Sequence, residues 1–156
     1  RHFERGAAVR KQLKAAGWKV AQRTELDAAP AQPDVLLVDS TGELTAFYET
    51  AALVFVGKSL TAQGGQNPIE PAALGRPLVF GPFMQNFSAV VRELLQAKAA
   101  RQVKDEVDLA ETVNFLLKNP TEREALGNAA QSVVEANKGA TQRTADMLGQ
   151  SLRALS

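Results

Sequence analysis

Asp34-Val35-Leu36-Leu37-Val38-Asp39 is an almost wholly apolar run between two acids, the pattern of a β-strand covered on both faces. Two further runs have the same character. Leu53-Val54-Phe55-Val56 stops at Gly57, and Pro77-Leu78-Val79-Phe80 stops at Gly81-Pro82. Trp18 to Ala21 forms a shorter apolar run, and Ala100 to Val103 a last one. Between the runs lie segments with apolar residues at helical spacing. Residues 3 to 16 carry Val9, Leu13 and Ala16 on one face and stop near Gly17. Glu43 to Ala52, Pro68 to about Leu74, and Asn86 to Ala97 also read as helices, whereas Glu25 to Pro33 reads as a loop. Leu109, Ala110, Val113, Leu116 and Leu117 make a helical stripe. Thr121 and Glu124 are spaced as a capping box opening a helix to about Asn137, and Leu148, Leu152 and Leu155 mark a last helix. Strands alternating with helices predict right-handed βαβ units and a Rossmann-like parallel sheet flanked by helices, an α/β fold.

Composition narrows the chemistry. The chain has 156 residues, 45% hydrophobic and 22% charged, enough for one domain with a real core. Eighteen basic against seventeen acidic residues leave a net charge of +1, which argues against a nucleic-acid partner. The absence of cysteine excludes disulfides and thiolate chemistry, and the single histidine, His2, argues against a histidine metal site or a Ser-His-Asp triad. No apolar run approaches a membrane span, and the first residues do not read as a signal peptide. These bounds favour an intracellular, metal-free α/β domain.

In a parallel sheet, ligands bind where the carboxyl ends of strands lead into helices. Gly57-Lys58-Ser59 imitates the end of a phosphate-binding P-loop, but Ala52 stands where its first glycine should be. No G-x-G-x-x-G occurs either. The strongest constellation is Gly64-Gly65-Gln66-Asn67-Pro68-Ile69-Glu70-Pro71. Its glycines let backbone approach a ligand, and amides there and at the following helix start can hold a phosphate. Asn67 reads as the cap, Pro68 as the first helical residue and Glu70 as the third. Glu70 either receives two vicinal ribose hydroxyls or completes a capping box with Asn67. Asp39-Ser40-Thr41-Gly42-Glu43-Leu44 likewise reads as a cap, Ser40 with Glu43, or as a nucleotide-facing loop. Lys58 is either a solvated lysine or a cation for an anionic ligand. Phe83 and Phe87 read as packing residues.

Four ordered segments, Asp39 to Leu44, Phe55 to Leu60, Gly64 to Pro71 and Phe80 to Phe87, resemble bacterial 3-deoxy-D-manno-octulosonic acid (Kdo) transferases in their carboxyl-terminal half. Arg1-His2-Phe3-Glu4-Arg5 is similar to the same family's P-R-H-P-E-R segment. The resemblance implies a GT-B glycosyltransferase whose donor, CMP-Kdo, is a substrate held by this domain, with no cofactor and no metal. Carried over, Arg1, Thr41, Gly42, Glu43, Asn67, Pro68, Ile69 and Glu70 would bind CMP. Lys58, Ser59, Gly64 and Gly65 would form a phosphate loop. The family usually has glycine at Lys58 and histidine at Gln66 and Phe83.

The resemblance further implies that Kdo goes to a lipid A precursor at the cytoplasmic face of the bacterial inner membrane. The base carboxylate and acceptor site belong to an amino-terminal domain that residues 1 to 156 do not contain, so no catalytic residue is expected in this chain. It is expected to be a partial carboxyl-terminal nucleotide-sugar-binding domain that lacks its first strands and is inactive alone. Exposed strand edges would invite a homodimer. The rivals are a non-catalytic sugar-nucleotide or protein-binding module, and another GT-B transferase using a UDP-sugar.

Overall fold

The computed structural model describes residues 6–28, 32–61 and 64–139. Arg1, the amino-terminal motif and the expected last helix through Leu148, Leu152 and Leu155 lie outside them. The chain divides into two compact units, residues 1–44 and 45–156.

In the first unit, α1 (Gly6–Ala15) ends as the sequence predicts, at Gly17. The Trp18 amide donates to the Leu13 carbonyl at 3.1 Å and the Gly17 amide to Lys14 at 3.0 Å. That paired closure is a Schellman motif, and Gly17 supplies its left-handed residue with φ 88°. β1 (Val20–Gln22) then pairs in parallel with β2 (Val35–Leu37), Val20 opposite Val35 and Gln22 opposite Leu37. A 3-10 turn, Arg23–Ala28, follows β1, where the sequence reading expects only loop from Glu25 onward. Val20 and Ala21 are buried, but Leu36 is 39% exposed. The double-sided burial expected of β2 is therefore not found; among the described residues it pairs with β1 in a two-stranded sheet.

The second unit is entered through α2 (Leu44–Thr50) and holds a three-stranded parallel sheet in the order β3-β4-β5. β3 (Val54–Phe55), β4 (Leu78–Phe80) and β5 (Ala100–Gln102) are linked by α3 (Ile69–Ala73) and α4 (Ser88–Gln96). α5 (Glu106–Lys118) and α6 (Pro120–Asn137) follow. Leu78, Val79 and Phe80 are entirely buried because β4 is the central strand. Among the described residues β3 lies at the edge of its sheet, and Phe55 is 37% exposed, so the burial expected of it is also corrected. Leu78 and Phe80 join a core with Val91, Leu94, Ala130 and Val134. Val79, between them, points to a second core with Val103, Leu116 and Leu126.

The joint between α5 and α6 departs from the predicted capping box. Pro120 takes the first helical position, where its missing N–H costs nothing, so Thr121 lies inside the helix and Asn119 precedes it without a side-chain cap. Asn119 instead donates to the Phe115 carbonyl at 2.7 Å. The Arg123 guanidinium donates to the Leu116 and Leu117 carbonyls at 2.9 and 2.8 Å. Both side chains satisfy the open carbonyls at the end of α5.

Candidate functional site

The parallel arrangement directs these loops from the carboxyl ends of strands: residues 38–43 after β2, 56–61 and 64–68 after β3, and 81–87 after β4. The last two belong to the second unit and are knitted together. Ser59 is fully buried. Its hydroxyl donates to the Val56 carbonyl at 2.5 Å and accepts from the Gly81 amide at 2.8 Å, and the Phe83 amide donates to the Ser59 carbonyl at 2.9 Å. The Gly64 amide donates to the Gln85 side chain at 3.1 Å. A Cβ on Gly64 would come within 2.7 Å of the Asn86 amide nitrogen, and one on Gly65 within 2.2 Å of the Met84 sulfur. Ser59, Gly64 and Gly65 thus serve the packing of this loop pair, a reason for serine and glycine distinct from the phosphate contact expected of them. Lys58 is exposed and left-handed, φ 65°, at the position where the family resemblance puts glycine.

This frame delivers Asn67 and Glu70 to the start of α3. Pro68 precedes the helix with helical torsions, φ −87° and ψ −11°. Asn67 Oδ1 accepts from the Ile69 amide at 2.9 Å, and Asn67 Nδ2 donates to Glu70 Oε1 at 3.0 Å. Of the two roles expected of Glu70, the reciprocal capping box is not formed. Asn67 caps the first turn, and its other end orients a carboxylate that remains exposed. In a reciprocal capping box Glu70 would instead accept from the Asn67 backbone. Pro68 is buried beneath, whereas Ile69 is exposed. Half-buried Tyr48 on α2 responds to the same carboxylate: burial, and then the Glu70 charge, push its phenol above the ordinary range. The sequence reading passed over Tyr48, which has only its helical position to mark it.

In the first unit, Thr41 and Gly42 are exposed and Glu43 is half-exposed. The Ser40–Glu43 capping box does not form, because α2 starts at Leu44, three residues beyond the Thr41 start that such a box requires. The Ser40 hydroxyl donates to one oxygen of Glu43, and Arg23 Nη2 reaches the other at 2.6 Å. The Ser40 hydrogen bond first, then Arg23, hold the Glu43 carboxyl below its ordinary range. Asp39 accepts from Thr24 Oγ1 at 2.6 Å, Gln22 Nε2 at 2.8 Å and the Thr24 amide at 3.1 Å. These bonds, the Thr24 hydroxyl foremost, lower its pKa to about 2. Arg23 was not marked by any motif. Among the described residues, no group of histidine, cysteine, aspartate and glutamate could hold a metal ion.

Of the site residues expected from sequence, Asn67 to Glu70 are brought into one hydrogen-bonded group, and Lys58, Ser59, Gly64 and Gly65 into the loop beside it in sequence. Thr41 to Glu43 form a separate group in the first unit. Arg1 lies outside the described residues.

No protein-family model matches the chain. Over 149 residues it is 36% identical to the 3-deoxy-D-manno-octulosonic acid transferase of Haemophilus influenzae and 38% identical to that of Bordetella pertussis. These alignments cover 95% of this chain but 35% of each relative, so the chain spans about a third of the length of the curated relatives it matches. The crystal structure of the C-terminal CMP-Kdo binding domain of WaaA from Acinetobacter baumannii superimposes with a TM-score of 0.79 at 31% identity. That superposition covers 86% of this chain and 70% of the other.

Proposed function

The chain belongs to the Kdo transferase family, and from that premise we propose that it is the donor-binding part of a GT-B glycosyltransferase, the donor being CMP-Kdo. The observation that carries this reading is the exposed Glu70 carboxylate, held by Asn67 at 3.0 Å at the carboxyl end of a parallel sheet. A carboxylate fixed in this way accepts two hydrogen bonds from vicinal hydroxyls, the arrangement a ribose presents. Thr41, Gly42 and Glu43 form the other donor-contacting segment, and Arg1 belongs to the same proposal. Lys58, exposed on the loop after β3, offers a positive charge to an anionic donor.

In the proposed reaction the bond between the Kdo anomeric carbon and the CMP phosphate oxygen breaks. A bond to an acceptor hydroxyl of a lipid A precursor forms, and CMP leaves with the electron pair. Groups that stabilise the departing phosphate act mainly in the transition state. The base that takes the acceptor proton, and the acceptor surface, are assigned to sequence outside residues 1–156. The proposal includes an amino-terminal acceptor domain and a place for the whole enzyme at the cytoplasmic face of the bacterial inner membrane. No helix among the described residues is long and apolar enough to cross a membrane.

Calorimetric titration of the chain with CMP and UMP tests the reading. CMP binds in preference to UMP, and Glu70→Ala weakens CMP roughly ten- to a hundredfold, the range for hydrogen bonds to a charged group. Equal affinity for the two nucleotides, or a Glu70→Ala chain that binds CMP as the parent does, overturns it.

A further inference from the structure

A carboxylate is a poor neighbour for a phosphate: two negative charges at close range repel unless a cation lies between them. Glu43, in a segment proposed to contact a nucleotide, therefore calls for an explanation, and the structure supplies one. Both of its oxygens are already engaged within the unit, one by the Ser40 hydroxyl and the other by Arg23 Nη2 at 2.6 Å. The pair stays open to solvent, with side-chain exposures of 38% for Arg23 and 37% for Glu43.

The position of Arg23 is not accidental to the fold. β1 ends at Gln22, which sits opposite Leu37 in the parallel register, so Arg23 and residues 38–43 leave the same end of the two-stranded sheet. Asp39 binds the residues on both sides of Arg23: the Gln22 side chain at 2.8 Å, and the Thr24 hydroxyl and amide at 2.6 and 3.1 Å. The backbone carrying the guanidinium is thereby fastened to the start of the loop Asp39–Glu43. An arginine has five N–H groups in a planar fork suited to phosphate oxygens, and the bond to Glu43 uses one edge.

We propose that Arg23 is a phosphate-binding residue of the donor site and that Glu43 acts through it, orienting the guanidinium toward the phosphodiester of the nucleotide sugar. This inference rests on the donor-binding reading and deepens it. Asp39, another carboxylate at this end of the sheet, is held by the Gln22 and Thr24 donors, and Glu25 in the turn after β1 pairs with Arg10 at 3.0 Å. Ser40 completes the fixing of Glu43. The net effect is a cation fastened to the loop that carries the exposed residues Thr41 and Gly42.

CMP and cytidine differ in the phosphate alone, so the pair separates a phosphate contact from a structural effect. Titrations of the full chain, followed by backbone amide NMR shifts, would compare the parent with Arg23→Gln, Arg23→Lys, Glu43→Gln and Glu70→Ala. Arg23→Gln weakens CMP roughly tenfold or more and leaves cytidine unchanged, as loss of a charge-assisted fork requires. Arg23→Lys falls between, keeping the charge without the fork. Glu43→Gln weakens CMP selectively, and Glu70→Ala weakens both ligands through the ribose. Unchanged amide shifts along β1 and β2 verify that the variants are folded, as expected for a half-exposed ion pair. If Arg23→Gln binds CMP like the parent while Glu70→Ala does not, the inference fails and the donor reading stands. Equal losses of CMP and cytidine in Arg23→Gln assign Arg23 a structural role and also overturn the inference. A parent chain that binds neither ligand overturns the donor reading, and the inference falls with it.

Discussion

The Ser59 hydroxyl accepts a hydrogen bond from the Gly81 amide at 2.8 Å, joining the loop after β3 to the end of β4. The bond is wholly buried, and the same hydroxyl gives its proton to the Val56 carbonyl. One oxygen atom thus satisfies a donor and an acceptor from two strand ends. The approach is close enough that a Cβ on Gly81 would come within 2.3 Å of the Ser59 carbonyl oxygen.

Ser59→Ala leaves the Gly81 N–H and the Val56 carbonyl without this partner in a dry site. A loss of about 1–3 kcal/mol in unfolding free energy is expected, the range for stranding buried polar groups. Denaturant unfolding monitored by circular dichroism reads it as a lower midpoint with an unaltered slope. A midpoint equal to that of the parent would show that the hydroxyl contributes nothing to the loop pair.

Lys98 ends α4 in the left-handed region, φ 52°. Its amide bonds the Leu95 carbonyl at 3.1 Å and the next amide bonds Leu94 at 2.7 Å, a Schellman closure that favours glycine. A side chain in this conformation costs about 1–2 kcal/mol, partly offset by the greater unfolded-state entropy of glycine, about 0.5–1 kcal/mol. Lys98→Gly should therefore stabilise the second unit by about 0.5–1 kcal/mol, whereas Lys98→Ala keeps the Cβ and should not. Thermal unfolding of the three chains distinguishes them: equal transitions for the glycine and alanine variants would contradict a backbone origin.

Asp39 titrates at about 2 when folded, below the ordinary carboxylate range, because of its Thr24 and Gln22 hydrogen bonds. A depressed folded pKa adds stability that is complete above the unfolded value and disappears as pH falls through the folded one. The β1–β2 pair should accordingly weaken between about pH 4 and pH 2, with the unfolded carboxyl titrating near 3.9. Glu43, also lowered, acts in the same sense. Asp39→Asn removes the larger part of this acid sensitivity, read as amide exchange in residues 20–22 against pH. An identical acid profile for both chains would exclude Asp39 as its source.

The strands were legible because each apolar run is cut by residues that end strands, Gly57 after Val56 and Gly81-Pro82 after Phe80. Their burial was not. An apolar run of four looks alike whether it lies at the centre of a sheet, as β4 does, or at an edge, as β3 does. Caps followed the same division. Asn67-Pro68-Ile69-Glu70 could be read because proline and the cap agree on one starting residue, whereas Thr121 and Glu124 misled because Pro120 starts α6 earlier. The glycine pair at 64 and 65 was visible, but the reason for it was not, since the Met84 and Asn86 side chains that crowd these positions come from another loop. Arg23 left no signal because its partner Glu43 lies twenty residues away and only the parallel register joins them.

β4 belongs to two cores at once, Leu78 and Phe80 facing one and Val79 the other. Neighbouring residues of one short strand cannot move independently, so a change of volume on either face displaces the backbone that both cores share. Sequence drift in this part of the chain should therefore be correlated. A larger residue accepted near Leu94 or Val134 would change what is tolerated near Leu116 or Leu126, although a strand separates the two sets.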